Sequence, residues 1–236
     1  MRNPICVYDY ETDGKHPHEC EPTELGACII NPRTLEIVEN SEFILKLRPP
    51  TIDEPDYYRK HEDTIAFHAK NRLAEGDDME VKKKEVFESW KNGVDQKIGW
   101  QQFTTYLEKY NTDQKRKTMF GAPIRGGSNI RSFDDIITTR LCKKYGNIDK
   151  EGKMNIFHPR DIVDTQDLAL YWFENLKEPT AYNLDALRVF FGITKVGGHE
   201  ALKDVKDSAW VIRKMLKLHR GLAHKIQFKG SYGKDG

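Results

Sequence analysis

The stretch Cys6–Gly14, CVYDYETDG, places two acids one residue apart at the end of an apolar run. The run is typical of a buried strand, in which successive side chains point to opposite faces. The residues that share one face are therefore Ile5, Val7, Asp9 and Glu11. Two neighbouring carboxylates on a core face repel each other, and burying them without partners costs on the order of several kcal/mol. A cation or a raised pKa must compensate.

Two interpretations of this stretch remain open at the level of the motif. Hard oxygen ligands at this spacing suit Mg²⁺ or Mn²⁺. Alternatively, the strand ends before the acids, and both are solvated in a turn, for which the segment ETDG is suitable.

Length and composition indicate a globular protein. The chain has 236 residues, of which 38% are hydrophobic and 11% aromatic, enough for one large domain with a core. No run approaches the roughly 18 apolar residues of a membrane helix, and the N-terminus lacks a secretory signal pattern, so we expect a cytoplasmic protein. Without any CxxC pairing, four cysteines are predicted to be free and mostly buried thiols: Cys6, Cys20, Cys28 and Cys142.

The charge pattern does not indicate a globally basic nucleic-acid binder, because the net charge is +1. Basic residues cluster locally at 82–84, 115–117 and 143–144. Such runs are either ordinary solvated faces or a local rim for a protein that holds only a few nucleotides.

The order of predicted elements indicates an α/β protein. Three strands, PICVYDYE, LGACIIN and EFILKLRPP, predict an antiparallel meander within residues 4–48. A helical insertion is predicted at about 53–118, from the spacing in DTIAFHAKNRLA, VFESWKNG and WQQFTTYLEKY. Strand-like MFGAPI and DIVDT then alternate with helical DDIITTRLCKKYG, LALYWF, NLDALRVFFG and EALKDVKDSAWVIRKMLKLH. This order predicts a mixed sheet flanked by helices.

Two later acids also fall on apolar helix faces. In DDIITTRL, a step back of three positions from Ile137 reaches Asp134, so Asp134 is predicted to face inward and Asp135 to cap the helix. In the last helix, Asp204 lies within an apolar stripe. That stripe consists of Ala201, Val205, Ser208, Ile212 and Met215.

His199 follows Gly197 and Gly198 and lies five residues before Asp204, too far round the helix to share its face. A histidine on a glycine-rich loop is ordinarily a surface residue. Beside inward-facing acids it becomes a candidate general base, because its unperturbed pKa is near neutral pH.

Together these residues resemble the three motifs of the DEDDh, or DnaQ-like, 3′→5′ exonucleases. The matching motifs are Asp9-x-Glu11, Phe133-Asp134 and His199-x-Ala201-x-x-Asp204. The segments DYETDGKHP and FDDIITTR resemble most closely the exonuclease I nuclease domain. The resemblance covers most of residues 4–218 and matches nothing at about 53–118.

The resemblance implies an RNase H-like fold with a mixed five-stranded sheet, in which an antiparallel meander is joined by parallel strands. It implies one exonuclease domain over 1–225 and leaves 226–236 as a flexible tail. It also implies hydrolysis of single-stranded DNA from a free 3′ end to nucleoside 5′-monophosphates, and a bacterial or phage origin. The sequence identifies no replication or repair partner.

Site residues follow from the same resemblance. Two Mg²⁺ or Mn²⁺ ions would be held by Asp9, Glu11, Asp134 and Asp204, with His199 as the general base. Substrate-binding candidates are Thr12, Asp13, Gly14, Asn129 and Phe133.

Four points remain open from the sequence. The motifs indicate which phosphodiester bond is hydrolysed but do not distinguish deoxyribose from ribose, so an RNA-trimming exonuclease is an alternative. A catalytically silent module that binds nucleic-acid ends is another. Exonuclease I enzymes carry further C-terminal domains that this chain is too short to hold, so high processivity is in doubt. Aromatic residues of the insertion either form a substitute wall for the strand or pack into the core: Trp90, Trp100, Phe103 and Tyr106.

Overall fold

One mixed sheet lies at the centre of the fold. The computed structural model describes residues 3–194 and 200–223, and within them the sheet has six strands. The strands are β1 (Ile5–Thr12), β2 (Pro22–Ile30), β3 (Phe43–Arg48), β4 (Val94–Asp95), β5 (Ile124–Gly127) and β6 (Ile162–Asp164). Their order across the sheet is β4-β3-β2-β1-β5-β6. β1, β2 and β3 form the predicted antiparallel meander, while β4, β5 and β6 each pair in parallel.

Helices flank this sheet. They are α1 (Tyr57–Lys60), α2 (Glu62–Asn71), α3 (Met79–Lys91), α4 (Gln96–Glu108), α5 (Asp134–Tyr145), α6 (Thr165–Phe173), α7 (Leu184–Phe191) and α8 (Ala201–Ala223). The predicted α/β class and the RNase H-like arrangement are confirmed. The sheet has one strand more than the five predicted, because the two-residue β4, between α3 and α4, pairs with β3.

Strand β1 is buried on both faces because helices cover both sides of the sheet. One face carries Tyr8 and Tyr10, which pack with residues of α4 and α5. The other carries Ile5 and Val7, which pack against Val205 and other residues of α8. An acid that continues the second face therefore points toward α8.

The region predicted as an insertion contributes to two cores. Between α2 and α3 a small cluster forms around Ile65, Val86 and Trp90. Helix α4 instead packs into the main core under the sheet, where Trp100 and Phe103 are buried. The predicted helices are confirmed.

One local prediction differs from the structure. The segment MFGAPI predicts a strand, but the chain turns at Thr118–Gly121 and β5 begins only at Ile124. Pro123, which has no N–H to donate to a ladder, immediately precedes this strand. The four cysteines are free and buried, as predicted.

Candidate metal centre

Strand β1 carries two of the predicted acids on the face that meets α8. Opposite them on β2 lie Gly26, which pairs with Asp9, and Glu24, which pairs with Glu11. Glu11 is buried, and β1 continues through Thr12. The alternative in which the strand ends early and both acids are solvated in a turn is therefore wrong.

Helix α8 brings a third acid to this strand. The predicted apolar stripe is buried throughout: Ala201, Val205, Ser208, Ile212 and Met215. Asp204 lies within it and is only 8% exposed. One carboxylate oxygen from each of Asp9, Glu11 and Asp204 lies within 4.8 Å of the other two. A strand and a helix nearly 200 residues apart thus form one acidic cluster.

The first turn of α8 reaches the strand because β2 has a glycine under it. A Cβ on Gly26 would lie 2.6 Å from the carbonyl carbon of Ala201 and 2.7 Å from the backbone nitrogen of Leu202. These are backbone atoms, so they cannot rotate away. Nearby, Glu24 accepts a hydrogen bond from the Ala201 N–H at 3.2 Å and so satisfies a free donor at the helix start.

Gly26→Ala is expected to lower the free energy of unfolding by about 1–3 kcal/mol, since overpacking forces backbone shifts. It should also weaken Mn²⁺ binding, because α8 and with it Asp204 must move. Urea unfolding and Mn²⁺ titration measure the two effects. Gly221→Ala is the matched control on α8, because a Cβ there meets nothing within 4 Å. Equal stability of the two variants would contradict the close-packing argument.

Asp134 opens helix α5 and faces inward, as predicted. Its Oδ1 accepts a hydrogen bond from the Tyr10 backbone N–H at 2.9 Å, which joins the helix start to β1 between Asp9 and Glu11. The prediction that Asp135 caps the helix is wrong: the N-cap residue is Phe133, with no side-chain cap. Asp135 instead binds the Arg125 guanidinium through both carboxylate oxygens, at 2.7 and 2.9 Å.

Burial is the main cause of raised pKa values at Asp9, Glu11 and Asp134. The pKa of Glu11 rises to about 8, mainly through burial and then through the charges of Asp204 and Glu24. Burial raises the pKa of Asp134 to about 7, although the Tyr10 N–H opposes the change. The pKa of Asp9 is raised well above its usual value by burial and then by Asp134, Glu11 and Asp204.

These residues fit divalent cations. All the donors are carboxylate oxygens, the ligands that Mg²⁺ and Mn²⁺ prefer. Burial raises the pKa values of Asp9 and Glu11 more than the neighbouring Arg188 and Arg72 lower them, so the ionised acids call for a further cation. Asp134 lies beside the group of three. Among the neighbouring charges that raise the pKa of Asp9, that of Asp134 has the largest effect. The predicted base, His199, lies outside the described residues.

Sequence reasoning missed a buried cation at this site. Arg188 of α7 is 4% exposed and bonds to Asp204 through Nη2. A signal was present: Arg188 occupies the i+4 position of an apolar stripe that begins at Leu184 and continues at Leu187 and Phe191. An arginine on a buried stripe requires an acid as partner.

Helices α1 and α2 are anchored directly to the end of β1. The Tyr57 hydroxyl donates to Asp13 at 2.6 Å, and His61 Nδ1 lies 2.7 Å from the carbonyl oxygen of Asp13. His68 Nε2 lies 2.9 Å from the carbonyl oxygen of Thr12. The segment that matches no motif therefore supports the strand that carries Asp9 and Glu11.

The predicted substrate-binding residues divide into two groups. Thr12, Gly14 and Phe133 line a pocket of about 280 Å³ next to Glu11. Asp13 is 2% exposed and engaged internally, since its carboxylate accepts bonds from Tyr57 and from the Glu21 N–H.

Asn129 is not among the residues that line this pocket. Its backbone N–H donates to Asp164 at 3.1 Å, and its φ of 58° is left-handed, a region in which asparagine is enriched. Asn129 thus belongs to the turn before α5.

The tryptophans of the insertion are not accessible to a substrate. All four aromatic candidates are buried, so the interpretation that they pack into the core is confirmed, and these four side chains do not form a wall for the strand: Trp90, Trp100, Phe103 and Tyr106. The basic runs are partly neutralised as well, because Lys82 and Lys83 each pair with two acids.

Comparison with solved structures relates this arrangement to known proteins. Escherichia coli exonuclease I bound to a dT13 oligonucleotide superposes with a TM-score of 0.62 at 16% identity, over 94% of this chain and 43% of that chain. This chain shares its fold with part of exonuclease I. The zinc-bound complex of E. coli exonuclease I with single-stranded DNA gives a TM-score of 0.63 at 15% identity, over 95% of this chain and 42% of that one.

A second organism provides the same result. Exonuclease I from Methylocaldum szegediense matches with a TM-score of 0.58 at 18% identity, over 93% of this chain and 41% of that one. The present chain therefore spans less than half the length of these exonuclease I chains. No protein-family model and no curated protein matches the sequence.

No helix among the described residues has the length and apolar character needed to cross a membrane.

Proposed function

We propose that this chain is a divalent-metal-dependent 3′→5′ exonuclease that degrades single-stranded DNA to nucleoside 5′-monophosphates. The observation that carries the proposal is the convergence of Asp9, Glu11 and Asp204 within 4.8 Å. It occurs in a fold shared with exonuclease I, whose structures include single-stranded DNA complexes. The cytoplasm is the proposed location.

The four carboxylates would hold two Mg²⁺ or Mn²⁺ ions: Asp9, Glu11, Asp134 and Asp204. Bound there, the ions would supply Lewis-acid chemistry that activates a water molecule and neutralises charge at the phosphate and the departing 3′ oxygen. The chain itself holds the ligands in place: the Tyr10 N–H orients Asp134, and the β1 ladder keeps Asp9 and Glu11 side by side. His199 would accept the proton of the attacking water.

The pocket beside Glu11 is proposed to receive the 3′-terminal nucleotide. Its lining includes two aromatic side chains, Phe67 of α2 and Phe133, which immediately precedes α5. Phe67 is 46% exposed, so its ring is accessible to a base. Stacking on an aromatic ring tolerates any base, as a nonspecific exonuclease requires.

Phe67→Ala is expected to raise the KM for a short DNA strand about fivefold or more with little change in kcat, since stacking contributes about 1–3 kcal/mol per base. Steady-state kinetics on a DNA oligonucleotide measures both constants. Phe120→Ala is the control, because Phe120 is also exposed and does not line the pocket. An unchanged KM in Phe67→Ala would contradict the assignment of the pocket.

Residues 1–225 are proposed to act as one domain, with 226–236 as a tail. Support comes from the bonds of Tyr57, His61 and His68 to the end of β1, which make the 53–118 region part of the site's support.

The activity is tested with oligonucleotides labelled at the 5′ end. Incubation with Mg²⁺ should produce a ladder that shortens from the 3′ end, and EDTA should abolish it. DNA and RNA strands run in parallel identify the sugar preference, and faster RNA shortening would replace the DNA proposal with an RNA-trimming one. An intact strand that the protein retains would instead indicate a binding module.

A further inference from the structure

Arg188 binds three acids at once from a buried position. Its Nη2 lies 2.5 Å from Asp204 Oδ1, its Nε 2.7 Å from Asp207 Oδ2, and its Nη1 2.9 Å from Asp185 Oδ1. The side chain is 5% exposed. A planar guanidinium with donors on all three nitrogens can hold several carboxylates in defined directions, which a lysine ammonium cannot.

These contacts join two helices at the acidic cluster. Asp185 and Arg188 belong to α7. Asp204 and Asp207 belong to α8, on which they lie about one turn from each other. Asp185 is exposed at 52%, so it pairs with Arg188 at the surface, while Asp204 pairs with it at the buried end. Arg188 therefore connects the surface of α7 to the carboxylate that faces Asp9 and Glu11.

One oxygen of Asp204 is engaged by this bond, and a carboxylate has a second oxygen with which to meet an ion. Rotation of the Asp204 carboxylate would break a short charge-assisted hydrogen bond, which is among the stronger bonds in proteins. The orientation of the second oxygen is thus set before any ion arrives.

We propose that Arg188 is a positioning residue that orients Asp204 for divalent-cation binding. The inference rests on the proposed function and goes beyond it, because Arg188 belongs to none of the three motifs. Its positive charge works against cation binding, so its contribution to affinity must come from geometry. Loss of the orientation of Asp204 therefore predicts weaker cation binding, whereas loss of the positive charge predicts tighter binding.

The test is a titration of the full chain with Mn²⁺, in which the electron paramagnetic resonance signal reports the free Mn²⁺. It is carried out on wild type, Arg188→Gln and Arg188→Lys. Positioning predicts that both variants bind Mn²⁺ about 10- to 100-fold more weakly, the range for losing a group that orients a metal ligand. Arg188→Lys keeps the charge and is the variant to rely on if Arg188→Gln does not fold.

Arg213→Gln is the matched control. Arg213 lies on α8, the helix that carries Asp204, and pairs with Glu36 and the Leu35 carbonyl, away from the acidic cluster. The Mn²⁺ affinity of the Arg213→Gln variant should therefore equal that of wild type. Unchanged or tighter Mn²⁺ binding in Arg188→Lys, with a wild type that binds, would overturn this inference alone. A wild type that binds no Mn²⁺ would overturn the proposed function with it.

Discussion

Replacing Asp204 by asparagine is expected to reduce exonuclease turnover by more than about a hundredfold while the protein remains folded. Loss of a group that merely orients a metal ligand costs about 10- to 100-fold, and Asp204 is a proposed ligand itself. The fold should persist, because the change removes one negative charge from a cluster of mutually repelling acids and leaves Arg188 paired with Asp185 and Asp207. Single-turnover cleavage of a labelled DNA strand and thermal unfolding measure the two effects.

Asp207→Asn provides the comparison. Asp207 lies one turn further along α8 and also binds Arg188, but it is outside the group of three acids. Its loss leaves the Arg188–Asp204 bond in place, so the activity should fall by no more than about tenfold. If Asp207→Asn were the more damaging change, the assignment of Asp204 as a ligand would be wrong.

Without metal ions, the protein should lose stability as the pH rises from about 4 to about 8. The pKa values of Glu11, Asp134 and Asp9 are higher in the folded protein than in the unfolded chain, so the folded state binds more protons. Their contribution is fully present below the unfolded pKa values of 3.8 and 4.5 and is lost as the pH passes about 7 to 8. The combined change is on the order of several kcal/mol.

The measurement is Tm against pH in EDTA and again in excess Mg²⁺. Cations bind the deprotonated carboxylates, so the stabilisation by Mg²⁺ should grow with pH over the same interval. Glu11→Gln should flatten the EDTA curve, whereas Glu39→Gln, at an exposed position, should not. A Tm in EDTA that rises between pH 5 and pH 8 would show that these acids are not destabilised by burial.

The acidic centre was largely predictable because periodicity places side chains on faces. Alternation along β1 puts Asp9 and Glu11 on the face of Ile5, and the helical repeat puts Asp134 and Asp204 inward; the structure shows each of these. Prediction failed for Asp135, since its partner Arg125 lies on β5 and only packing of α5 on the sheet brings the two together.

The amino-acid sequence by itself determined the α/β order of elements, the meander and the inward direction of four acids, because these depend on repeats of two and 3.6 residues along the chain. Tertiary structure alone decided that three carboxylates meet within 4.8 Å, that Gly26 admits the start of α8, and that Arg188 holds Asp204. Those facts depend on which elements pack against each other, and local periodicity carries no information about contacts between residues far apart in the chain.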